Sequence, residues 1–529
     1  MRRAFLLLFA LVGFVVGVAP AGASTVQRPF CDDGAITCTE LEVGLNYENA
    51  YVGHDEPSLL FYSSTPGSGN SNLYRLVLPK DPPTLPTQDG TGGTWNFQLR
   101  PAFWLGMALC DNQSAPEFTH EPCTPDSDAN IKDGADPSQP DYIGRHAGTA
   151  FLELQFYPPG WAPWPAGISC SGTQWCAAMA IFGLNRDQNT GVDNSNDCLH
   201  KVGLEPVSFA FITKSGVPHA PPDPLGVASS SSTAFVPSAA TDLFMNSGDV
   251  LSVEIHDTFA GLQIVINDLT SGRSGSMTAS VANGWAQVNF DPNGKCTESP
   301  YAYHPMYATS SEHTRVPWAA HSYNVAFSDE IGHFEYCAAV KTEGGSCTGG
   351  GDGDADDTFC FSAAFSLLVQ VGGCTATDND FDGVSYQPVW PGSTKDFKQD
   401  ALLHPTSVLF SSPRFNGSQN YDRVAFEADL PRIEAADFGG ACNRTTGAGC
   451  VNPPPGANFY PIYSTGTSTG ACMWQLGGTR IKGTTNTFGG TSTAEFGPLL
   501  RSAYPNVGFV PTFRYNNFRN VLATNPCPG

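Results

Sequence analysis

One stretch, residues 242–291, constrains the fold more than any other: DLFMNSGDVLSVEIHDTFAGLQIVINDLTSGRSGSMTASVANGWAQVNFD. Leu251, Val253 and Ile255 alternate with Ser252, Glu254 and His256. A period of two puts one apolar and one polar face on a strand. Asn246-Ser247-Gly248-Asp249 reads as a turn before that strand, and Phe259-Ala260-Gly261 as a turn after it. Leu262, Ile264 and Ile266 repeat the alternation, Thr270-Ser271-Gly272-Arg273 makes a tight connection, and Ser276 to Ser280 starts a third strand. Short strands with such regular turn signals predict an antiparallel sandwich or jelly roll, not a parallel sheet with helical crossovers.

The rest of the chain has the same character. It carries 56 Gly and 42 Pro and few long helical periodicities, so the expected class is all-β. Strand patterns recur at 59–62, 73–78, 95–99, 103–107 and 151–157. Others follow at 408–410, 423–427, 459–463 and 472–478, and 513–519 reads as a terminal strand or helix. At 529 residues the chain exceeds one ordinary sandwich. The expected division is a signal peptide over 1–23, a β-sandwich over 24–300, and a connecting segment with His and carboxylates over 301–345. A Cys-punctuated acidic region over 346–390 and a smaller, loop-rich β-unit over 391–529 complete it.

Residues 1–23 read as a secretory signal peptide. Arg2 and Arg3 supply the charge, Ala4 to Ala19 the apolar run, and Ala21-Gly22-Ala23 the small-residue cleavage site. No other segment approaches the roughly 20 apolar residues of a membrane span. All 16 Cys follow this peptide, and none forms a C-x-x-C pair of the zinc-site kind. In an oxidising compartment they pair as disulfides. Cys31 with Cys38, Cys170 with Cys176, and Cys442 with Cys450 are spaced for local bridges, and Cys472 with Cys527 could tie down the C-terminal end. The expectation is a secreted, disulfide-bonded protein.

A net charge of −24 argues against nucleic acid and anionic membranes as partners, because both need basic patches. It fits calcium. Asp378-Asn379-Asp380-Phe381-Asp382-Gly383 places carboxylates at alternating positions before a glycine, a pattern that can wrap a hard cation in oxygen ligands. Asp352, Asp354 and Asp356 repeat the spacing upstream. Over 346–390 the chain resembles the calcium-binding aspartate repeats of extracellular proteins, such as thrombospondin type 3 repeats. The twelfth position of the second loop is Val389, not the Glu of an EF-hand, so structural calcium is expected rather than a helix-loop-helix sensor.

Three groups of residues are candidates for chemistry or recognition. Glu153 and Gln155, two apart on one strand, share a face as ligand hydrogen-bonding groups or a remnant catalytic pair. Trp161, Trp164 and Trp175 lie near them, and exposed aromatic rings beside polar strands suit the apolar face of a pyranose. His304, His313, His321 and His333 fall close together among Asp329, Glu330 and Glu335; on a strand, His333 and Glu335 share a face. Such a cluster can hold a transition metal or do acid–base work.

The run SGDVLSVEIHDT…GLQIVINDLTSGRSGSMTAS resembles the late strands of the glutamic peptidases (eqolisins). The resemblance implies a concanavalin-like β-sandwich. That family cuts peptides with a Gln and Glu pair. Here the nearest residue to the Glu position is Gln287, and an amide cannot serve as the general acid or base that a carboxylate supplies.

Three functions are therefore expected in turn. The first is an extracellular, surface-associated protein that binds glycan or protein and carries structural calcium. The second is a diverged hydrolase, glutamic-peptidase-like or a glycoside hydrolase, on a concanavalin-like fold. The third is a structural component of a cell wall or extracellular coat. Fold alone does not choose among them.

Overall fold

The computed structural model describes residues 39–40, 58–63, 69–78, 80, 103–110, 149–157, 159, 170–171, 173–183, 185–187, 192–203, 206–289, 291–304, 321–329, 333–336, 371–373, 384–385, 409–415, 419–421, 423–429, 463–468, 471–476, 499–504, 512–522 and 525–527. These residues are mostly β-strands. Helices among them are short: Asn196–Val202, Pro224–Ser229, Ser231–Ala234 and the 3-10 turn Val281–Asn283. None is long and apolar enough to cross a membrane.

The strands form two large sheets. The 11-stranded sheet runs from Thr39–Glu40 through Leu499–Tyr504, Thr512–Leu522, Arg423–Asp429, Ser58–Ser63, His321–Asp329, Phe103–Cys110, Thr149–Tyr157 and Gln174–Gly183 to Met245–Asn246, with Val207–Phe211 also paired to Gln174–Gly183. The pairings in it are antiparallel apart from that of Thr39–Glu40 with Leu499–Tyr504. The nine-stranded sheet has the central hairpin at one end. Its main path is Ser274–Thr278, Gly261–Asp268, Val250–Thr258, Gly69–Val77, Leu409–Ser411, Ala471–Leu476 and Tyr463–Ser468.

Period-two alternation decides which side chains go inside. Val253, Ile255, Ile264 and Met277 from the nine-stranded sheet join Leu59, Phe61, Leu105, Leu154 and Met179 from the 11-stranded sheet in one apolar core. Removing so many aliphatic and aromatic side chains from water, at about 1.5–3 kcal/mol each, is the main force holding the two sheets to one another. Trp285 and Trp474, both fully buried, belong to the same core. A second apolar cluster gathers Tyr157, Ala178, Ala180, Phe209, Phe211, Val227, Ala234 and Phe244. It lies on the opposite face of the 11-stranded sheet, because these strand residues alternate with those of the main core. The segment after Val207–Phe211, with its two short helices, covers it.

Three disulfides are present among the described residues. Cys170–Cys176 closes a six-residue separation, as its spacing predicts. Cys472–Cys527 ties a strand of the nine-stranded sheet to the chain after Thr512–Leu522. Cys198–Cys296, at a separation of 98, fastens helix Asn196–Val202 to the hairpin formed by Ala286–Asn289 and Thr297–Pro300. Cys31, Cys38, Cys442 and Cys450 lie outside the described residues.

Candidate functional site

The central hairpin builds an open hollow at its tip. Strand Val250–Thr258 sends Glu254 and His256 to the outer face of the nine-stranded sheet, while Val253 and Ile255 fill the core. His256 lies opposite Ser71 on one neighbouring strand and Gln263 on the other. At the strand end the hollow is completed by Asp257, Phe259 and His304.

The turn fixes Phe259 away from the sheet. Thr258 Oγ1 donates to the Gly261 carbonyl at 2.6 Å and accepts from the Ala260 amide at 3.2 Å. Gly261 has φ of 137°, and a Cβ there would come 2.3 Å from the Ala279 carbonyl oxygen. Only glycine meets both conditions. The Phe259 ring is left fully exposed, at 105% of its reference area. The exposed ring stands beside the polar side chains of the hollow, which makes the pair of surfaces available to a ligand.

His304 arrives from elsewhere in the chain. The segment 301–304 lies along the hairpin: the Leu262 amide donates to the Tyr303 carbonyl at 2.7 Å, and the Tyr303 amide to the Ala279 carbonyl at 3.0 Å. His304 Nδ1 then stands 2.7 Å from Asp257 Oδ1. His256 Nδ1 lies 3.5 Å from Glu254 Oε1. Two imidazoles, two carboxylates and one bare ring thus share one hollow. Among the described residues no group of three or more His, Cys, Asp or Glu is placed to hold a metal ion. The arrangement offers hydrogen-bond donors and acceptors beside an apolar platform.

The candidate residues from the sequence are distributed as follows. Glu153 and Gln155 do share a face of Thr149–Tyr157, but both are buried. Gln155 Nε2 donates to Glu153 Oε2 at 2.7 Å, and Tyr157 Oη donates to Gln155 Oε1 at 2.5 Å. Gln287 sits in the two-stranded hairpin with Thr297–Pro300, opposite Ser299, in a different sheet from Glu153. Trp175 is fully enclosed in the main core, and its indole Nε1 donates to Ser247 Oγ at 3.0 Å. Trp161 and Trp164 lie outside the described residues.

His321 opens the strand His321–Asp329 of the 11-stranded sheet, whereas His333 and Glu335 lie on His333–Tyr336 in a separate three-stranded sheet. His313, Glu330, and the aspartates at Asp352, Asp354, Asp356, Asp378, Asp380 and Asp382 lie outside the described residues. Of the histidine group, the structure pairs His304 with a carboxylate of the central hairpin, Asp257, 47 positions earlier. Sequence reasoning missed Phe259 and Asp257. The available signal was an aromatic residue in a Thr-x-x-Gly turn between two alternating strands.

Two further polar pairs lie on the covered side of the 11-stranded sheet. Glu298 Oε2 accepts from the Leu225 amide at 3.0 Å, and Asp223 Oδ2 accepts from the next amide, Gly226, at 2.6 Å. Burial, and then the adjoining Asp223 carboxyl, push Glu298 up to about 7. His219 Nδ1 lies 2.9 Å from the fully buried Asp242 carboxylate, which raises the imidazole above its ordinary value. No protein-family model, curated protein or solved structure matches the chain.

Proposed function

We propose that the chain is an exported, glycan-binding β-sandwich protein that recognises its ligand at the tip of the central hairpin. The observation that carries this reading is the fully exposed Phe259 ring beside Glu254, His256, Asp257 and His304. A pyranose has an apolar face and a rim of hydroxyls. The ring takes the face, and the imidazoles and carboxylates take the hydroxyls by donating and accepting hydrogen bonds. The disulfides, the signal-like residues 1–23 and the acidic composition support an extracellular setting. The two aspartate loops, 352–356 and 378–382, are read as structural calcium sites, with calcium ordering a segment rather than taking part in recognition.

The test is calorimetric titration of the full chain with a panel of soluble linear polysaccharides, comparing wild type with Phe259→Ala. Binding by wild type and a loss of about tenfold or more in the variant supports the site, since about 1.4 kcal/mol is tenfold in affinity. Equal binding by both proteins moves the site elsewhere. Release of sugars or peptides during the titration would instead favour the hydrolase reading, for which the buried chain Glu153–Gln155–Tyr157 is the group to mutate.

A further inference from the structure

The segment 213–242 crosses the second apolar cluster as a cover. Val227 and Ala234 point down into the cluster, Phe235 packs on Phe209 with centroids 4.9 Å apart, and His219 stacks on Phe211 at 5.7 Å. Beneath lies Tyr157, whose hydroxyl ends the buried Gln155–Glu153 chain. Two pairs of titratable side chains, one carboxyl with carboxyl and one imidazole with carboxylate, fasten this cover at different points.

The first fastening joins the cover to the disulfide-anchored hairpin. Asp223 caps helix Pro224–Ser229 from its own N-terminus, and Glu298 reaches the same turn from strand Thr297–Pro300. Their acceptor oxygens sit on consecutive amides, Leu225 and Gly226, so the two carboxyl groups are neighbours at one helix turn. Two negative charges side by side repel, and a proton on one of them relieves that repulsion and lets it donate to the other. The second fastening closes the cover on itself. Asp242, fully buried, holds the Ser238 amide at 2.7 Å, the Thr241 hydroxyl at 2.9 Å and His219 Nδ1 at 2.9 Å. A protonated His219 makes this an ion pair; a neutral one leaves a buried carboxylate with a weaker partner.

We propose that Asp223–Glu298 and Asp242–His219 act together as a pH-sensitive latch, which holds the 213–242 segment closed in mild acid and loosens it in mild alkali. Both fastenings depend on a proton, and both lose it in the same direction. The surrounding charged groups do not replace that proton. Around the first pair, Asp197 on helix Asn196–Val202 is engaged by Lys201 at 2.6 Å and by the Cys296 amide at 2.6 Å, with Lys295 beside it and His200 on the Asn196 carbonyl. Around the second, Lys214 Nζ donates to the Ala239 carbonyl at 2.7 Å. Loosening brings water to Tyr157 first, and through it to Gln155 and Glu153.

The experiment is hydrogen exchange of the full chain, read by mass spectrometry at about pH 5.5 and about pH 8.5 and corrected for the intrinsic pH dependence of exchange. Amides of 219–242 should exchange about tenfold faster at the higher pH, while those of 251–266 in the central hairpin stay equally protected. Glu298→Gln supplies an amide donor to Asp223 at every pH. In that variant 224–229 should remain protected at the higher pH, while 238–242 still loosens with His219. Equal protection of 219–242 at both pH values in the wild type would overturn the latch. So would a loosening of 224–229 in Glu298→Gln as large as in the wild type.

Discussion

His304 Nδ1 stands 2.7 Å from Asp257 Oδ1, and this contact joins the end of the 301–304 segment to the tip of the central hairpin. The pair is partly exposed, with side-chain accessibilities of 31% and 27%. A pair of that kind contributes only about 0.2–1 kcal/mol to stability. Its larger role is to hold an imidazole and a carboxylate in fixed orientation at the edge of the hollow. His304→Ala should therefore leave the urea midpoint nearly unchanged while weakening the proposed glycan binding several-fold in calorimetry. A large fall in stability with unchanged binding would assign the pair to the fold alone.

Gly261 sets the position of both Phe259 and His304, because the next amide, Leu262, bonds to the Tyr303 carbonyl. Gly261→Ala places a methyl group 2.3 Å from the Ala279 carbonyl oxygen, at a φ of 137° that other residues avoid. The expected cost is about 2–3 kcal/mol, from backbone strain and overpacking together. Chemical denaturation measures it, and a loss under about 0.5 kcal/mol would mean that the turn relaxes.

How far the sequence reaches can be judged from particular residues. The alternation at 251–255 and 262–266 is legible because a period of two has no other common source, and both strands are found with those residues inside. The shared face of Glu153 and Gln155 is legible for the same reason. Their burial is not, because it depends on a cover contributed by residues about 60 or more positions later. The all-β class follows from turn and strand signals alone. The pairing of Gly69–Val77 with Leu409–Ser411, where the Leu73 amide meets Ser411 Oγ across a separation of 338, leaves no local mark. Trp175 illustrates the limit for a site residue. An aromatic residue beside a polar strand reads equally as platform or core, and its neighbours in space decide.

Cys198–Cys296 holds the small hairpin against helix Asn196–Val202, with Val202 and Val288 packed around the bridge. A closed loop near 98 residues stabilises by about 4–5 kcal/mol in the chain-entropy account. Cys198→Ser with Cys296→Ser should lower the denaturation free energy by several kcal/mol. It should also speed exchange of the Leu225 amide, since Glu298 lies two positions from the lost anchor. An unchanged midpoint would place the stability of this corner in its apolar contacts.

Asp380 and Asp382 provide the test of the calcium reading, which rests on the D-x-D-x-D-G spacing of 378–383. Ligand that binds only the folded state raises the melting temperature with concentration. Wild type should melt higher with millimolar calcium than with chelator. Asp380→Asn with Asp382→Asn should reduce that difference and leave the chelated melting temperature as it was. No calcium effect on the wild type would remove calcium from the description.

The pH dependence of stability follows from the signs of the individual shifts. Glu298 is raised from 4.5 to about 7 by burial and by Asp223, so the folded chain retains a proton that the unfolded chain releases over that window. Its contribution is complete below about 4.5 and is lost as pH rises through about 7. His219 is held above 6.5 by Asp242, so its contribution is complete below 6.5 and is lost as pH rises through the raised value. Asp268 works the other way. Burial opposes its ionisation, but hydrogen bonds from Ser271 and Thr270 outweigh that and hold it below 3.8, so its contribution is lost only as pH falls beneath that value. Glu298 and His219 together place greater stability near pH 5 than near pH 8. Urea midpoints at the two pH values measure the difference. Glu298→Gln should shrink it by raising the alkaline midpoint, because the amide donates to Asp223 where the carboxylate cannot. A Glu298→Gln protein with the full wild-type pH dependence would place the effect in His219 and Asp242 alone.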